Sequence, residues 1–197
     1  TLLSKQKIIE AQTRDTDMTI CTIEDLQKIA RKRGPKMFYD YADSGSWTET
    51  TYRENSSDFQ KIKLRQRIAV DMTNRTLAST MVGQDVSMPV AIAPTGLTGM
   101  MHADGEMLGA QAAEEMGVPF TLSTMSVCSI EDVASVTTKP FWFQLYVMKD
   151  RDFIERLIER AKAAGCSALV LTFDLQILGQ RHKDIKNGFC FKNVFFE

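Results

Sequence analysis

The sequence is short of the features that usually identify a protein at sight. It has two histidines, five prolines and four cysteines in 197 residues. The cysteines, at 21, 128, 166 and 190, form neither a C-x-x-C pair nor a zinc-ligand spacing, so no metal site is expected, and their surroundings point to buried, reduced thiols in a cytosolic protein. The net charge is only −1, with both signs interspersed, which removes the electrostatic footprint of a nucleic-acid binder. No apolar run approaches the roughly 18 residues of a membrane span. The N-terminus "TLLSKQKIIEAQTRDTD" lacks the apolar stretch of a signal peptide and an initiating Met. Met18 would serve as a start, so residues 1–17 are expected to be a disordered extension and residues 18–197 the folded domain.

With 44% hydrophobic residues, the chain can bury a sizeable core. Thr22 and Asp25 form a capping box for a first helix. Leu26, Ile29 and Ala30 share one face of it, and Gly34-Pro35 ends it. "KMFYDYADSG" reads as a second short helix. Residues 46–89 are mixed and polar, and "KIKL" and "IAV" suggest edge strands or hairpins. From residue 90 an alternation begins. "PVAIAP", "PFTLS", "PFWFQLYV" and "SALVLTFD" read as strands, the last as a buried one over Ala168–Phe173. "DGEMLGAQAAEEMG", "SIEDVASV" and "DRDFIERLIERAKAAG" read as the helices between them. Four strands separated by three helices imply a parallel sheet.

Two parallel architectures compete. A doubly wound dinucleotide fold needs a Gly-rich turn after its first strand, but Gly96 and Gly99 in "APTGLTGMMHADGE" have the wrong spacing for G-x-G-x-x-G. A (β/α)₈ barrel places polar groups at the C-terminal ends of several strands. Here Thr95, Ser123, Gln144 with Tyr146, and Thr172 with Asp174 stand at four such ends. Period two puts Gln144 and Tyr146 on one strand face and Phe143, Leu145 and Val147 on the other. Thr172 and Asp174 likewise oppose Leu171 and Phe173. The expected fold is therefore α/β, the first four or so strand–helix units of a (β/α)₈ barrel, preceded by a helical segment.

The ordered motifs "KMFYDYADSG", "MPVAIAPTG", "FTLSTMSVCSIEDVA", "FWFQLYV", "ERAKAAGCSALVLT" and "LGQRHKDIKNG" resemble the FMN-dependent L-2-hydroxy-acid dehydrogenase and oxidase family, most closely its bacterial L-lactate dehydrogenase branch. The resemblance runs from about Thr19 to about Gly188, the N-terminal half of the family domain. It implies oxidation of an L-2-hydroxy acid, L-lactate foremost, to the 2-keto acid, with hydride transfer to FMN. Electrons would then pass to a quinone, a cytochrome or oxygen. By the same resemblance Pro94, Thr95 and Gly96 lie against the flavin, where a glycine allows close approach. Ser123, Gln144 and Thr172 bond the polar edge of its ring, whose donors and acceptors suit hydroxyl and amide groups. Tyr41, Tyr146 and Arg181 match the substrate-binding residues, and the guanidinium fork suits a carboxylate. Tyr146 and Asp174 match catalytic positions, the acid orienting a histidine base and stabilising its protonated form. Met125 stands where several oxidases of the family carry a Trp.

Neither His102 nor His182 matches that base, which in the family lies in a "SNHGGRQ"-like motif further along; no such motif occurs here. The fifth-strand lysine and the phosphate site of the last strands have no counterparts either. Three readings follow: a relative of the L-lactate enzyme; an inactive fragment or assembly module without base or phosphate site; and a sugar-phosphate isomerase barrel, which leaves "YDYADSG" and "LGQRHKD" unexplained. Under the first, the expected partners are a small 2-hydroxy acid, an electron acceptor and other copies of the chain. The expected location is the cytoplasm or the inner face of the membrane, bound peripherally. These 197 residues alone are expected to retain no stable FMN and to show no turnover.

Overall fold

In a computed structural model of the chain, residues 19–175, 177 and 179–188 are described. The expected extension over residues 1–17 and the last nine residues, with Cys190, lie outside them. Helix α1 (Ile23–Arg33) starts at Thr22, whose hydroxyl accepts from the Asp25 N–H while the Asp25 carboxylate accepts from the Thr22 N–H. Gly34 closes it. It buries no residue completely, and Leu26, expected on a packed face, is exposed. Helix α2 (Lys36–Ala42) follows.

Residues 46–89 differ from expectation. "KIKL" and "IAV" form no ladder; instead helix α3 (Thr50–Ser57) and a 3₁₀ turn (Asp58–Lys61) precede a loosely wound segment. The hairpin lies later, between β1 (Ser79–Met81) and β2 (Gln84–Val86). Its two turn residues, Val82 and Gly83, have φ of 49° and 75°. That left-handed pair matches the strand twist, but a β-branched valine there is rare and hides the turn from the sequence.

The α/β part begins with α4 (Thr98–Met101) and α5 (Gly105–Met116). Strand β3 (Thr121–Ser123), helix α6 (Ile130–Val136), strand β4 (Trp142–Tyr146), helix α7 (Arg151–Ala163) and strand β5 (Ala168–Thr172) follow, then α8 (His182–Lys186). The three strands are parallel in the order β3-β4-β5. The expected strand at "PVAIAP" is reduced to a single parallel bridge, Ile92 to Phe120. The described residues thus hold part of a barrel wall.

Leu122, Phe143 and Leu145 face outward and pack with Ile130, Val133, Ile154 and Leu157 from α6 and α7. A fully buried side chain of this kind contributes about 1.5–3 kcal/mol. The capping box of α6, Ser129 with Asp132, and the Asp150 cap of α7 fix where these helices begin. β5 departs from the buried strand that was expected. Leu169 and Leu171 stand in register with Phe143 and Leu145 but are 47% and 39% exposed, and Phe173 is 76% exposed. No described helix covers them.

The hairpin closes the N-terminal end of the strands. Gln84 accepts from the Trp142 indole N–H at 3.0 Å and donates to Ser167 Oγ at 2.7 Å. A cavity of about 250 Å³ opens at this end beside Val86, Glu114 and Phe120. The polar residues singled out above lie at the other end.

Candidate functional site at the strand ends

Alternation along β4 turns Gln144 away from the helices, where it is 1% exposed. A buried amide must be hydrogen-bonded, and this one ties all three strands together. Its Oε1 accepts from Ser123 Oγ at 3.2 Å and from the Thr124 N–H at 3.2 Å. Its Nε2 donates to Thr172 Oγ1 at 2.8 Å. Ser123 Oγ in turn accepts from the Met125 N–H at 3.0 Å. The Thr124 hydroxyl donates to the Gln144 carbonyl at 2.6 Å and accepts from the Tyr146 N–H at 3.2 Å. The structure therefore brings the expected ring-edge residues Ser123, Gln144 and Thr172 into one continuous polar belt.

Gly96 sits beside this belt. A Cβ on it would fall 3.1 Å from the Met125 Cβ and 3.9 Å from Ser123 Oγ. The next residue, Leu97, has φ of 59° and donates its N–H to the Met125 carbonyl at 2.9 Å. This sharp turn leaves Pro94 and Thr95 exposed, with the Thr95 hydroxyl turned back on the Ala93 carbonyl at 3.4 Å.

Tyr146 is half-buried at the end of β4. Burial pushes its phenol up, and the nearby Tyr41 and Asp174 push it further. The three expected substrate-side groups Tyr41, Tyr146 and Asp174 are thus electrostatic neighbours. Asp174 lies exposed just beyond β5.

Arg181 joins the same end from the loop before α8. Its guanidinium carbon lies 4.7 Å from the centre of the Tyr41 ring, a cation–π contact. Nε donates to Asp184 Oδ2 at 2.5 Å, and Nη2 donates to the Tyr41 carbonyl and to Ser44 Oγ at 3.1 Å. The fork expected to grip a carboxylate is accordingly engaged along its Nε–Nη2 edge by the protein. Among the described residues only Nη1 has no acceptor. Further bonds run from Lys183 Nζ to the Asp43 carbonyl and from Asn187 to Asp40. They bind α8 to α2, so the substrate-side residues are carried by two elements held as a unit.

Both histidines are exposed. His102 Nδ1 pairs with the Ala103 carbonyl at 2.7 Å. His182 is exposed, 3.3 Å from Gln180 Oε1, with its ring edge-on to Trp47. Among the described residues no cluster of His, Cys, Asp or Glu could hold a metal ion. Cys21 is exposed rather than buried, while Cys128 and Cys166 are half-buried.

Sequence reasoning missed three participants. Thr124 gave no signal. Asp184 could have been found as the acid three residues after Arg181. Glu106 could have been found as a carboxylate on the stripe that also carries the buried Ala110 and Ala113.

The belt offers hydroxyl and amide groups, each able to donate and accept, beside a glycine with open backbone. That donor set fits the mixed edge of an isoalloxazine ring.

The L-lactate dehydrogenase of Haemophilus influenzae (strain PittEE) is 47% identical over 171 residues, covering 87% of this chain and 45% of that protein. That of Vibrio parahaemolyticus is 44% identical over 177 residues, covering 90% and 47%. A soluble mutant of the membrane-associated (S)-mandelate dehydrogenase from Pseudomonas putida superposes with a TM-score of 0.83 at 37% identity, over 90% of this chain and 50% of that one. A mandelate oxidase gives 0.82 at 33% identity, over 90% and 52%. The chain thus spans about half the length of the relatives it matches. Residues 30–195 match the FMN-dependent dehydrogenases, and with the polar belt at its strand ends the chain belongs to that family.

Proposed function

We propose that this chain forms the flavin-edge and substrate-carboxylate half of an FMN-dependent enzyme that oxidises an L-2-hydroxy acid, L-lactate foremost, to the 2-keto acid. The observation that carries this reading is the belt Ser123–Gln144–Thr172 at the same strand ends as Tyr146, Asp174 and the Tyr41–Arg181 pair. The complete eight-stranded barrel is part of the proposal.

Ser123, Gln144 and Thr172 would hold the polar edge of the flavin, and Pro94, Thr95 and Gly96 would lie along its ring. When bound, the flavin supplies the hydride acceptor. Arg181 would meet the substrate carboxylate through Nη1, with the Tyr41 and Tyr146 phenols donating to its oxygens. The raised Tyr146 phenol stays protonated near neutral pH, as a donor must. Asp174 would orient a histidine and stabilise its imidazolium. Neither His102 nor His182 matches the family's base, so the base would come from other residues. The electron acceptor would be a quinone, a cytochrome or oxygen, and a homo-oligomer is the expected assembly.

Among the described residues no helix is long and apolar enough to cross a membrane. The mandelate dehydrogenase neighbour is membrane-associated, which supports membrane association here too; the proposed location is the cytoplasm or, bound peripherally, the inner face of the membrane.

The test is a titration of the purified chain with FMN, read by flavin fluorescence. Saturable but weak quenching is expected, without co-purifying flavin and without bleaching by L-lactate. An absence of saturable quenching would count against the ring-edge assignment. Anaerobic bleaching by L-lactate would show that the chain needs no outside base.

A further inference from the structure

Glu106 is a carboxylate that the proposed reaction does not use, yet it is 2% exposed. It shares the inner stripe of α5 with Ala110 and Ala113. A charge there is costly unless hydrogen-bonded, so its partners show what holds it. Its Oε1 accepts from the Gly99 N–H at 3.1 Å and from the Val127 N–H at 3.0 Å. The Gly99 amide lies in the single turn of α4, just after Gly96, and the Val127 amide lies in the loop that follows β3. Burial pushes the Glu106 carboxyl up, but the Val127 N–H and its other donors bring it below the ordinary range. The group is therefore an anion at neutral pH.

The two segments have little freedom besides. The Leu97 N–H bonds to the Met125 carbonyl at 2.9 Å. A Cβ on Gly99 would fall 2.7 Å from the Val127 Cβ and 3.2 Å from Glu106 Oε2. Gly96 lies three residues before Gly99, and Ser123, whose Oγ accepts from the Met125 N–H, lies four residues before Val127.

We infer that Glu106 is a positioning residue: one buried carboxylate clasps the α4 turn after Gly96 to the loop after Ser123 and thereby sets the slot that receives the flavin edge. The inference rests on the flavin reading above. The bland role for an acid in the first turn of a helix is to stabilise that helix through its dipole. Such a role would not reach the Gly99 and Val127 amides, which lie outside α5.

Glu106→Leu and Glu106→Gln in the purified chain separate the two. Hydrogen exchange at Gly99 and Val127 is read first, then FMN binding by fluorescence. Glu106→Leu is expected to raise exchange at both amides, and the FMN dissociation constant, by about tenfold. Glu106→Gln keeps an acceptor oxygen and should restore both to within about threefold of wild type. Val133→Ala, a core cavity on α6 outside both clasped segments, should lower stability while leaving FMN affinity unchanged.

Unchanged exchange in Glu106→Leu, or equal loss in Glu106→Gln, overturns the clasp. So does an FMN affinity that follows stability alone across the three variants. If Glu106→Leu does not fold, Gly99→Ala presses on the same clasp from the other side, and unchanged exchange at Val127 then overturns it. A wild-type chain that fails to bind FMN sinks the flavin reading, while the exchange measurements still decide the clasp.

Discussion

The Gln144 amide passes its own β-ladder partner, Val170, and donates to Thr172 Oγ1 at 2.8 Å. The same side chain accepts from Ser123 Oγ on the opposite neighbour. A single residue in the middle strand thus sets the lateral alignment of three strand ends.

Gln144→Leu tests this directly. It leaves Ser123, the Thr124 N–H and Thr172 without a shared partner in a buried place, at a cost of about 1–3 kcal/mol. Urea denaturation measures that loss. FMN quenching should weaken in the same variant, since the belt no longer holds Ser123 and Thr172 in line.

Arg181→Met separates packing from recognition. It strips the cation from Asp184, whose carboxylate is almost fully buried, and should cost about 2–3 kcal/mol of stability. In the FMN-loaded protein it should also weaken L-lactate binding about tenfold, read from the flavin spectrum. Unchanged lactate affinity would remove Arg181 from the substrate site and leave it as the link between α8 and α2.

The Glu131–Arg160 pair predicts a pH dependence. Two hydrogen bonds, at 2.8 and 2.6 Å, join α6 to α7, and Arg160 holds the Glu131 carboxyl down to about 2, against an ordinary value of 4.5. A folded-state value below the unfolded one stabilises the protein above pH 4.5 and is lost as pH falls toward 2. Both side chains are about half exposed, so the pair is worth at most about 1 kcal/mol. Arg160→Met should lower stability by that amount at pH 7, and the difference from wild type should vanish near pH 2.

Thiol reactivity gives a further check. Cys21 is exposed, whereas burial pushes the Cys166 thiol up to about 11. Iodoacetamide at neutral pH should label Cys21 first, with Cys166 at least about tenfold slower. Peptide mass spectrometry resolves the order.

The core gives the largest predicted loss. Leu122 is fully buried against α6 and α7, and Leu122→Ala should cost about 2–5 kcal/mol in urea denaturation.

Much of this architecture was legible in the sequence wherever the signal is local. The capping boxes at Thr22 and Ser129 depend on side chains three residues apart, so the sequence contains both partners. The alternation of Gln144 and Tyr146 against Phe143 and Leu145 is likewise a local property of an extended chain. The hairpin at Val82-Gly83 was not legible, because its turn carries a residue that disfavours the conformation it adopts. "KIKL" and "IAV" misled for the opposite reason: short apolar runs form strands only where a neighbouring strand supplies the ladder.

The capped starts of α1 and α6, the two faces of β4 and the family motifs are each encoded within a few residues, so the chain alone reveals them. Packing alone sets Arg181 against the Tyr41 carbonyl and Ser44, Gln144 across three strand ends, and Glu106 between α4 and the loop after β3. Each of those outcomes includes a pairing between groups 21 to 140 positions apart. A buried amide, guanidinium or carboxylate takes whatever partners the packed strands and loops bring within hydrogen-bonding distance.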